Sequence, residues 1–342
     1  MKAVRFHQYG GPEVLRLEDV PTPSPEAGEA LIRVGACGVN HIDLDLRAGT
    51  SGFPLSLPHI LGIEIAGEVA ALGCNVKEPA AGERVLVPFG VACGQCRECL
   101  SGRGNLCQVR VGAGYTRPGG YAEYLTFPAA HLRPLPDALS FTDAAATLVA
   151  FSTAWHMLVN RARLQAGETV LIQAAGSGVG SAAVQVARYA GARVIATGST
   201  DEKLEAASKQ GAEETINYVR EDFVARVLDL TGGRGVEVVL EHVGGDVFTR
   251  SLKCLAPDGR LVTCGGHAGE TPQISIIEVF RKELQVIGSR RATRLEMDTV
   301  MNLVARGTFR PVISEVLPLA EAAEAHRRLA ERRHFGKFVL TP

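Results

Sequence analysis

Residues 169–197 constrain this chain more than any other stretch. Thr169-Val170-Leu171-Ile172-Gln173-Ala174 reads as a buried strand, Ala175-Gly176-Ser177-Gly178-Val179-Gly180 as a tight turn, 181–190 as an Ala-rich helix and 193–197 as a second strand. A strand that turns on glycines into a helix opens a doubly wound α/β sheet. Small residues at such a turn let backbone N–H groups at the helix N-terminus approach a pyrophosphate. Ala175 and Ser177 stand at the first two glycine positions of that fingerprint. A glycine-rich turn alone ends many strands without binding anything, but the flanking strand, helix and second strand are the context that dinucleotide binding requires. Gly176, Ser177, Gly178, Val179 and Gly180 are therefore the first cofactor-binding candidates.

The alternation continues downstream, with a helix at 201–210 and strands at 214–218, 236–240, 260–264 and 284–287. Strands alternating with helices imply a parallel sheet. Upstream, from Gly10 to about Pro136, Gly and Pro punctuate short β-type runs such as 30–34 and 84–87, which predicts a strand-and-turn domain. Residues 141–159 are Ala-rich and helical in pattern. A chain of 342 residues exceeds what one core comfortably serves, so two domains are expected.

The end of the second strand selects the cofactor, because an acid there bonds the adenosine ribose and repels a 2′-phosphate. Gly198 stands where that acid is expected, followed by the hydroxyls of Ser199 and Thr200 and the charge of Lys203. NADPH is favoured, with NADH as the alternative, since Asp201 and Glu202 lie close by.

Cys93, Cys96, Cys99 and Cys107 crowd one short loop, whereas Cys37, Cys74, Cys254 and Cys264 are scattered. Four thiolates on one loop close a tetrahedral zinc site with no open position for water, which makes the expected zinc structural. A redox dithiol or an iron–sulfur cluster are the competing readings. The 36 basic and 37 acidic side chains leave a formal charge of −1, which argues against a nucleic-acid surface. No apolar stretch approaches the ~20 residues of a membrane span, and Met1 to His7 lacks a signal peptide's apolar core. A cytoplasmic protein acting on a small molecule, with no nucleic-acid or membrane partner, is expected.

Across its whole length the sequence resembles the medium-chain dehydrogenase/reductase superfamily, in its quinone-oxidoreductase-like branch. The resemblance rests on Gly10-Gly11-Pro12-Glu13-Val14-Leu15, Gly62-Ile63-Glu64-Ile65-Ala66-Gly67, Gly82-Glu83-Arg84-Val85, Gly119-Gly120-Tyr121-Ala122-Glu123-Tyr124 and the four-cysteine lobe. It implies a β-rich GroES-like catalytic domain over 1–153 with the structural-zinc lobe at 93–107. A Rossmann NAD(P)-binding domain of doubly wound parallel sheet would span 154–288, and 289–342 would return to the first domain, with the active site in the cleft between them. It also implies a homodimer or homotetramer, and edge pairing around 284–287 is one route to it.

Alcohol dehydrogenases of this superfamily hold a catalytic zinc with a cysteine, a histidine and a third ligand on a later helix. Here the resemblance puts Asn40, Ile63 and Val149 at those positions, and Ile42 replaces the hydroxyl that relays the alcohol's proton. An amide and aliphatic side chains do not assemble the usual zinc site. A displaced site drawn from Cys37, His41, Asp43, His59 and Glu64 lacks a recognisable spacing, and Asp43 and Glu64 read as supporting carboxylates. The implied chemistry is hydride transfer from NADPH to a quinone, enone or enoyl acceptor without catalytic zinc. Zinc-dependent alcohol or aldehyde oxidoreduction and a non-catalytic, NADPH-binding or redox-sensing role are the alternatives. The resemblance also places Thr153 and Val179 beside the nicotinamide and Tyr218 near the adenosine phosphate, and Gly265 joins the cofactor-binding set. Asn40 would donate to an acceptor oxygen or simply hold its loop, and His41 would deliver a proton, bind the pyrophosphate or serve structurally.

Overall fold

A computed structural model describes residues 1–342, Arg110 by its backbone alone. The chain divides into two compact units, one of Met1–Val149 and Met301–Pro342, the other of Ala150–Val300.

The first unit is organised by the strand Glu29–Gly38, on which Ala30, Ile32, Val34 and Ala36 alternate inward. It pairs antiparallel with Glu64–Leu72, from Ala30↔Leu72 to Gly38↔Glu64, and with Tyr124–Pro128 along its first half. The chain's last strand, Lys337–Thr341, joins its far end through Leu340↔Cys37 and Val339↔Gly38. These registers gather residues distant in sequence at one strand end. The approach there is close: a Cβ on Gly38 would lie 2.1 Å from the carbonyl of Ala145 and 2.7 Å from a carboxylate oxygen of Glu64. Only glycine fits. Arg84–Val87 and Arg133–Pro134 extend this sheet on one side and Ile313–Pro318 on the other, while Arg16–Asp19, Lys2–Phe6 and His59–Ile60 form a smaller sheet.

In the second unit six strands are labelled in chain order: β1 (Thr169–Ile172), β2 (Arg193–Gly198), β3 (Glu214–Asn217), β4 (Val236–Glu241), β5 (Leu255–Thr263) and β6 (Gln285–Gly288). They are parallel and lie in the spatial order β3-β2-β1-β4-β5-β6. The order reverses between β1 and β4, and a doubly wound sheet binds its ligand outside the carboxyl ends of the strands at that reversal. Leu171, Ile195, Val239 and Leu261 pack in the buried core with Phe223 and Phe248 from the helices α3 (Phe223–Leu230) and α4 (Gly245–Lys253).

Three boundaries differ from the sequence reading. The helix expected at 181–190 spans Gly178–Tyr189 (α1), because Ser177 caps it and the turn's glycines become its first turn. β5 begins at Leu255 rather than 260, with Asp258 held at a φ of 59° inside a stretch that reads as a turn. The helical run expected over 141–159 is α-helical through Trp155 and continues as a π-helix over His156–Arg161. β6 lies at the end of the sheet order with Val286 exposed, and Ile276, Ile277 and Phe280 on the preceding helix Ile276–Arg281 are exposed as well. No helix among the described residues is long and apolar enough to cross a membrane.

Candidate functional site

Around Asn40 the first unit holds a closed polar cluster. Asn40 stands at the N-cap of the helix His41–Ala48, where the Asp43 carboxylate accepts its backbone N–H at 2.9 Å. Its side-chain orientation is forced, because the Lys337 ammonium can only donate, so the oxygen Oδ1 must face it at 2.6 Å. Nδ2 then donates to Glu64 Oε2 at 3.0 Å and to the carbonyl of Gly38 at 3.2 Å. Both amide hydrogens and the oxygen are engaged. Lys337 also donates to the carbonyl of Val39 and forms an ion pair with Glu64 at 2.8 Å. The remaining oxygen of Glu64, which is fully buried, accepts the backbone N–H of Val149 at 2.6 Å. Ile63 is buried and offers no donor atom. His41 opens its helix and is partly exposed.

Behind this cluster runs a second buried chain. Arg47 donates to His326 Nδ1 at 3.0 Å, which leaves Nε2–H facing the Tyr121 hydroxyl at 3.0 Å, and that hydroxyl faces Asp43 Oδ2 at 3.4 Å. Burial holds His326 down at about 3 and pushes the Asp43 carboxyl up to about 7. Asp43 nevertheless accepts the N–H groups of Asn40 and Gly62, so it ties the two loops that carry Asn40 and Ile63. Cys37, His41, Asp43, His59 and Glu64 are not brought together as ligands. Among the described residues only Cys93, Cys96, Cys99 and Cys107 gather as a group of three or more metal-ligating side chains.

Those four sulfurs stand 3.4 to 3.9 Å apart along the measured edges. With Zn–S bonds of ~2.3 Å a tetrahedron has S···S edges of about 3.8 Å, so the donor set fits one zinc ion. The separations are far too long for a disulfide of ~2.04 Å. The thiols differ sharply: the N–H groups of Gln95 and Cys96 bring Cys93 down to about 6, whereas burial and the bond to Cys96 carry Cys99 up to about 12. A bound cation deprotonates coordinating thiols outright and removes that conflict.

In the second unit the glycine turn joins β1 to α1. Ala174 adopts a left-handed φ of 49°, supported by the N–H it donates to Thr197 Oγ1, whose own hydroxyl donates to Gln173. Ser177 caps α1 by accepting the N–H of Gly180 at 2.9 Å. Gly180 allows close packing of helix on strand, since a Cβ there would lie 2.3 Å from the Ala174 carbonyl. Val179 is half-buried in the first turn of α1, and Thr153, on the helix Phe141–Trp155, is partly exposed.

At the outer end of β2, Gly198 is the strand's last residue and Ser199 is half-buried behind it. Thr200 caps the helix α2 (Asp201–Gln210). Lys203 folds back over the turn, its Cδ 3.0 Å from where a Cβ on Gly176 would stand. Asp201 accepts from Arg220 at 2.8 Å and from Asn217 at 3.2 Å, and Tyr218 is exposed beside them. Asp201 thus ties the start of α2 to the end of β3 through Asn217 and to Arg220 beyond it. Gly265 lies instead past β5, where a Cβ would meet the His242 carbonyl at 3.2 Å.

Two family models match the chain, "Alcohol dehydrogenase GroES-like domain" over residues 26–137 and "Zinc-binding dehydrogenase" over 178–306. A quinone oxidoreductase of Pseudomonas aeruginosa is 36% identical over 100% of this chain and 99% of its own length. The chain belongs to the medium-chain dehydrogenase/reductase superfamily, in its quinone-oxidoreductase-like branch. This dehydrogenase/reductase is an NAD(P)H-dependent oxidoreductase. Two solved structures bracket it. An NAD-dependent alcohol dehydrogenase superposes with a TM-score of 0.96 at 42% identity, covering 100% of both chains. The quinone oxidoreductase of Escherichia coli, solved with NADPH, gives 0.84 at 32% identity, again covering 100% of both. The relatives' names therefore divide between two activities and two cofactors.

Three residues of this oxidoreductase were not legible in the sequence. Lys337 and Asn40 are 297 residues apart and meet only through the pairing of first and last sheet strands. Arg220 follows β3, whereas the cofactor signal was sought at the end of β2; a basic residue two positions after Tyr218 was the available clue. His242, at the end of β4, reaches Ser177 Oγ at 3.0 Å, and no spacing rule links those positions.

Proposed function

We propose that this reductase transfers hydride from NADPH to an activated small acceptor, a quinone, an enone or an enoyl compound, without a catalytic zinc. The observation that carries the reading is the engagement of Asn40. Its only metal-ligating atom, Oδ1, is held by the Lys337 ammonium at 2.6 Å, and Ile63 and Val149 offer no side-chain donor. The cofactor supplies the hydride and the acceptor takes it. The chain binds the pyrophosphate at the N-terminus of α1 through the 176–180 turn and holds the adenosine end near β2 and β3. Zinc, held by the four cysteines, would be structural.

The intact cysteine lobe and the 42% identical alcohol dehydrogenase favour the alternative of alcohol oxidation. The discriminating assay follows NADPH consumption with a 1,4-quinone and with a small enone, beside NAD(P)⁺ reduction with primary and secondary alcohols. Metal content is measured on the same preparation. Acceptor-dependent NADPH oxidation at one zinc per chain is expected. Zinc-dependent alcohol oxidation at two zincs per chain would overturn the proposal.

NADPH preference rests on Arg220. The nearest acid to the ribose end, Asp201, is tied to this guanidinium, which holds its carboxyl below the ordinary range. Arg220 is exposed enough to turn onto a 2′-phosphate, a group for which an arginine is well suited. Arg220→Ala should raise the NADPH dissociation constant about tenfold, in line with one charge-assisted bond, and leave NADH binding unchanged. Fluorescence titration of both cofactors checks this. Equal weakening of the two would show that Arg220 does not read the phosphate.

A further inference from the structure

His242 has no place in the fingerprint, yet it touches the residue that stands where a fingerprint glycine is expected. We propose that His242 is a positioning residue that turns the Ser177 hydroxyl into a hydrogen-bond donor for the pyrophosphate of the bound dinucleotide. This rests on the dinucleotide reading of the 176–180 turn.

The geometry fixes the direction of each proton. Ser177 Oγ accepts the N–H of Gly180 at 2.9 Å and lies 3.0 Å from His242 Nε2. The other ring nitrogen, Nδ1, is buried and has no hydrogen-bond partner. Burial, with the neighbouring His267, holds the imidazole down at about 4, so the ring is neutral in ordinary buffer and carries one proton. Placing that proton on Nδ1 would bury an orphaned N–H donor, which is rare in folded proteins and costs about 1–3 kcal/mol. Placing it on Nε2 leaves only an idle lone pair at Nδ1. The Nε2–H tautomer is therefore the stable one, and it donates to Ser177.

With two donors already on its oxygen, Ser177 keeps its own proton for an outside acceptor. It is half-buried at the N-terminus of a 12-residue helix, where backbone N–H groups and the helix dipole already favour an anion. The reverse tautomer would let the histidine consume the serine's proton, leaving the hydroxyl with nothing to give.

The loop beyond His242 is fixed independently. The fully buried Glu241 accepts the N–H groups of Val243 and Gly244 at 2.6 and 2.8 Å, and the Val243 carbonyl accepts from Ala268 at 2.7 Å. His242 is therefore presented from a pinned strand end rather than from a free loop.

A double-mutant cycle on cofactor affinity tests the proposal. Ser177→Gly restores the fingerprint glycine, and glycine is tolerated at a helix N-cap at a cost of a few tenths of a kcal/mol. His242→Phe in the Ser177 background should weaken NADPH and NADH alike by about tenfold, because the pyrophosphate is common to both. In the Ser177→Gly background it should change neither. Equal effects in the two backgrounds would show that His242 acts only on the fold and would overturn the proposal. The tautomer gives a second readout that needs neither cofactor nor variant: histidine ¹³C and ¹⁵N shifts should report Nε2–H for His242, and Nδ1–H would equally overturn it. Failure of the dinucleotide reading itself is a separate result, namely wild-type protein that binds neither cofactor.

Discussion

Replacing Lys337 by Met should destabilise this oxidoreductase by about 3–5 kcal/mol, the cost of leaving one partner of a buried ion pair without the other. Lys337 is 6% exposed and Glu64 0%, and their charged atoms are 2.8 Å apart. Methionine preserves much of the stem's volume and removes the ammonium. What remains is a buried carboxylate with only the Asn40 amide and the Val149 N–H to stabilise it, and an Asn40 oxygen and a Val39 carbonyl that have lost their donor. Urea denaturation of the purified variant measures the loss. Adding Glu64→Gln to Lys337→Met removes the unpaired charge and keeps an acceptor for Val149. It should recover a large part of the deficit. A deficit below about 1 kcal/mol, or one that the second substitution deepens, would mean that the pair is solvated rather than buried.

The same cluster shows what a sequence can and cannot disclose. Ile63 and Asn40 sit inside short motifs, so their places in the family resemblance were legible from the local sequence. The partner of Asn40 was not, because a lysine in the last strand enters the site only through the pairing of Leu340 with Cys37 and Val339 with Gly38. Asn40 was also expected to donate to an acceptor oxygen or to hold its loop. Its amide hydrogens already meet Gly38 and Glu64, so donation to a substrate would require breaking one of those bonds. The turn at 175–180 was legible because strand, glycines and helix are contiguous. The left-handed Ala174 and the serine–histidine contact were not, since the first depends on the polar relay through Thr197 and the second on adjacency of β1 and β4. Periodicity reports which residues are strands, whereas the order β3-β2-β1-β4-β5-β6 arises from packing.

The lobe of residues 93–107 was the most legible element, and removing a zinc held by its four thiols should have the second large effect. Within it only Cys107 among the hydrophobic residues is buried, while Leu100 is 76% exposed, and its helices Arg97–Leu100 and Gly104–Leu106 are four and three residues long. Helices so short do not persist alone, and an apolar core is absent among the described residues of the lobe. Zinc binding to a comparable structural site contributes roughly 10–16 kcal/mol of apparent free energy. Stripping the ion with a strong chelator should therefore unfold this segment while most helix and strand signal persists in circular dichroism, because the sheets of both units do not draw on it. Thiol titration should then register four additional reactive cysteines, and amide exchange should accelerate over 93–107. Cys96→Ser with Cys99→Ser should give the same exchange pattern without chelator, together with loss of the single zinc. If the four thiols react equally before and after chelation, the cysteines hold no ion. If a second zinc is released with them, a metal sits elsewhere in the chain, and alcohol oxidation becomes the leading reading.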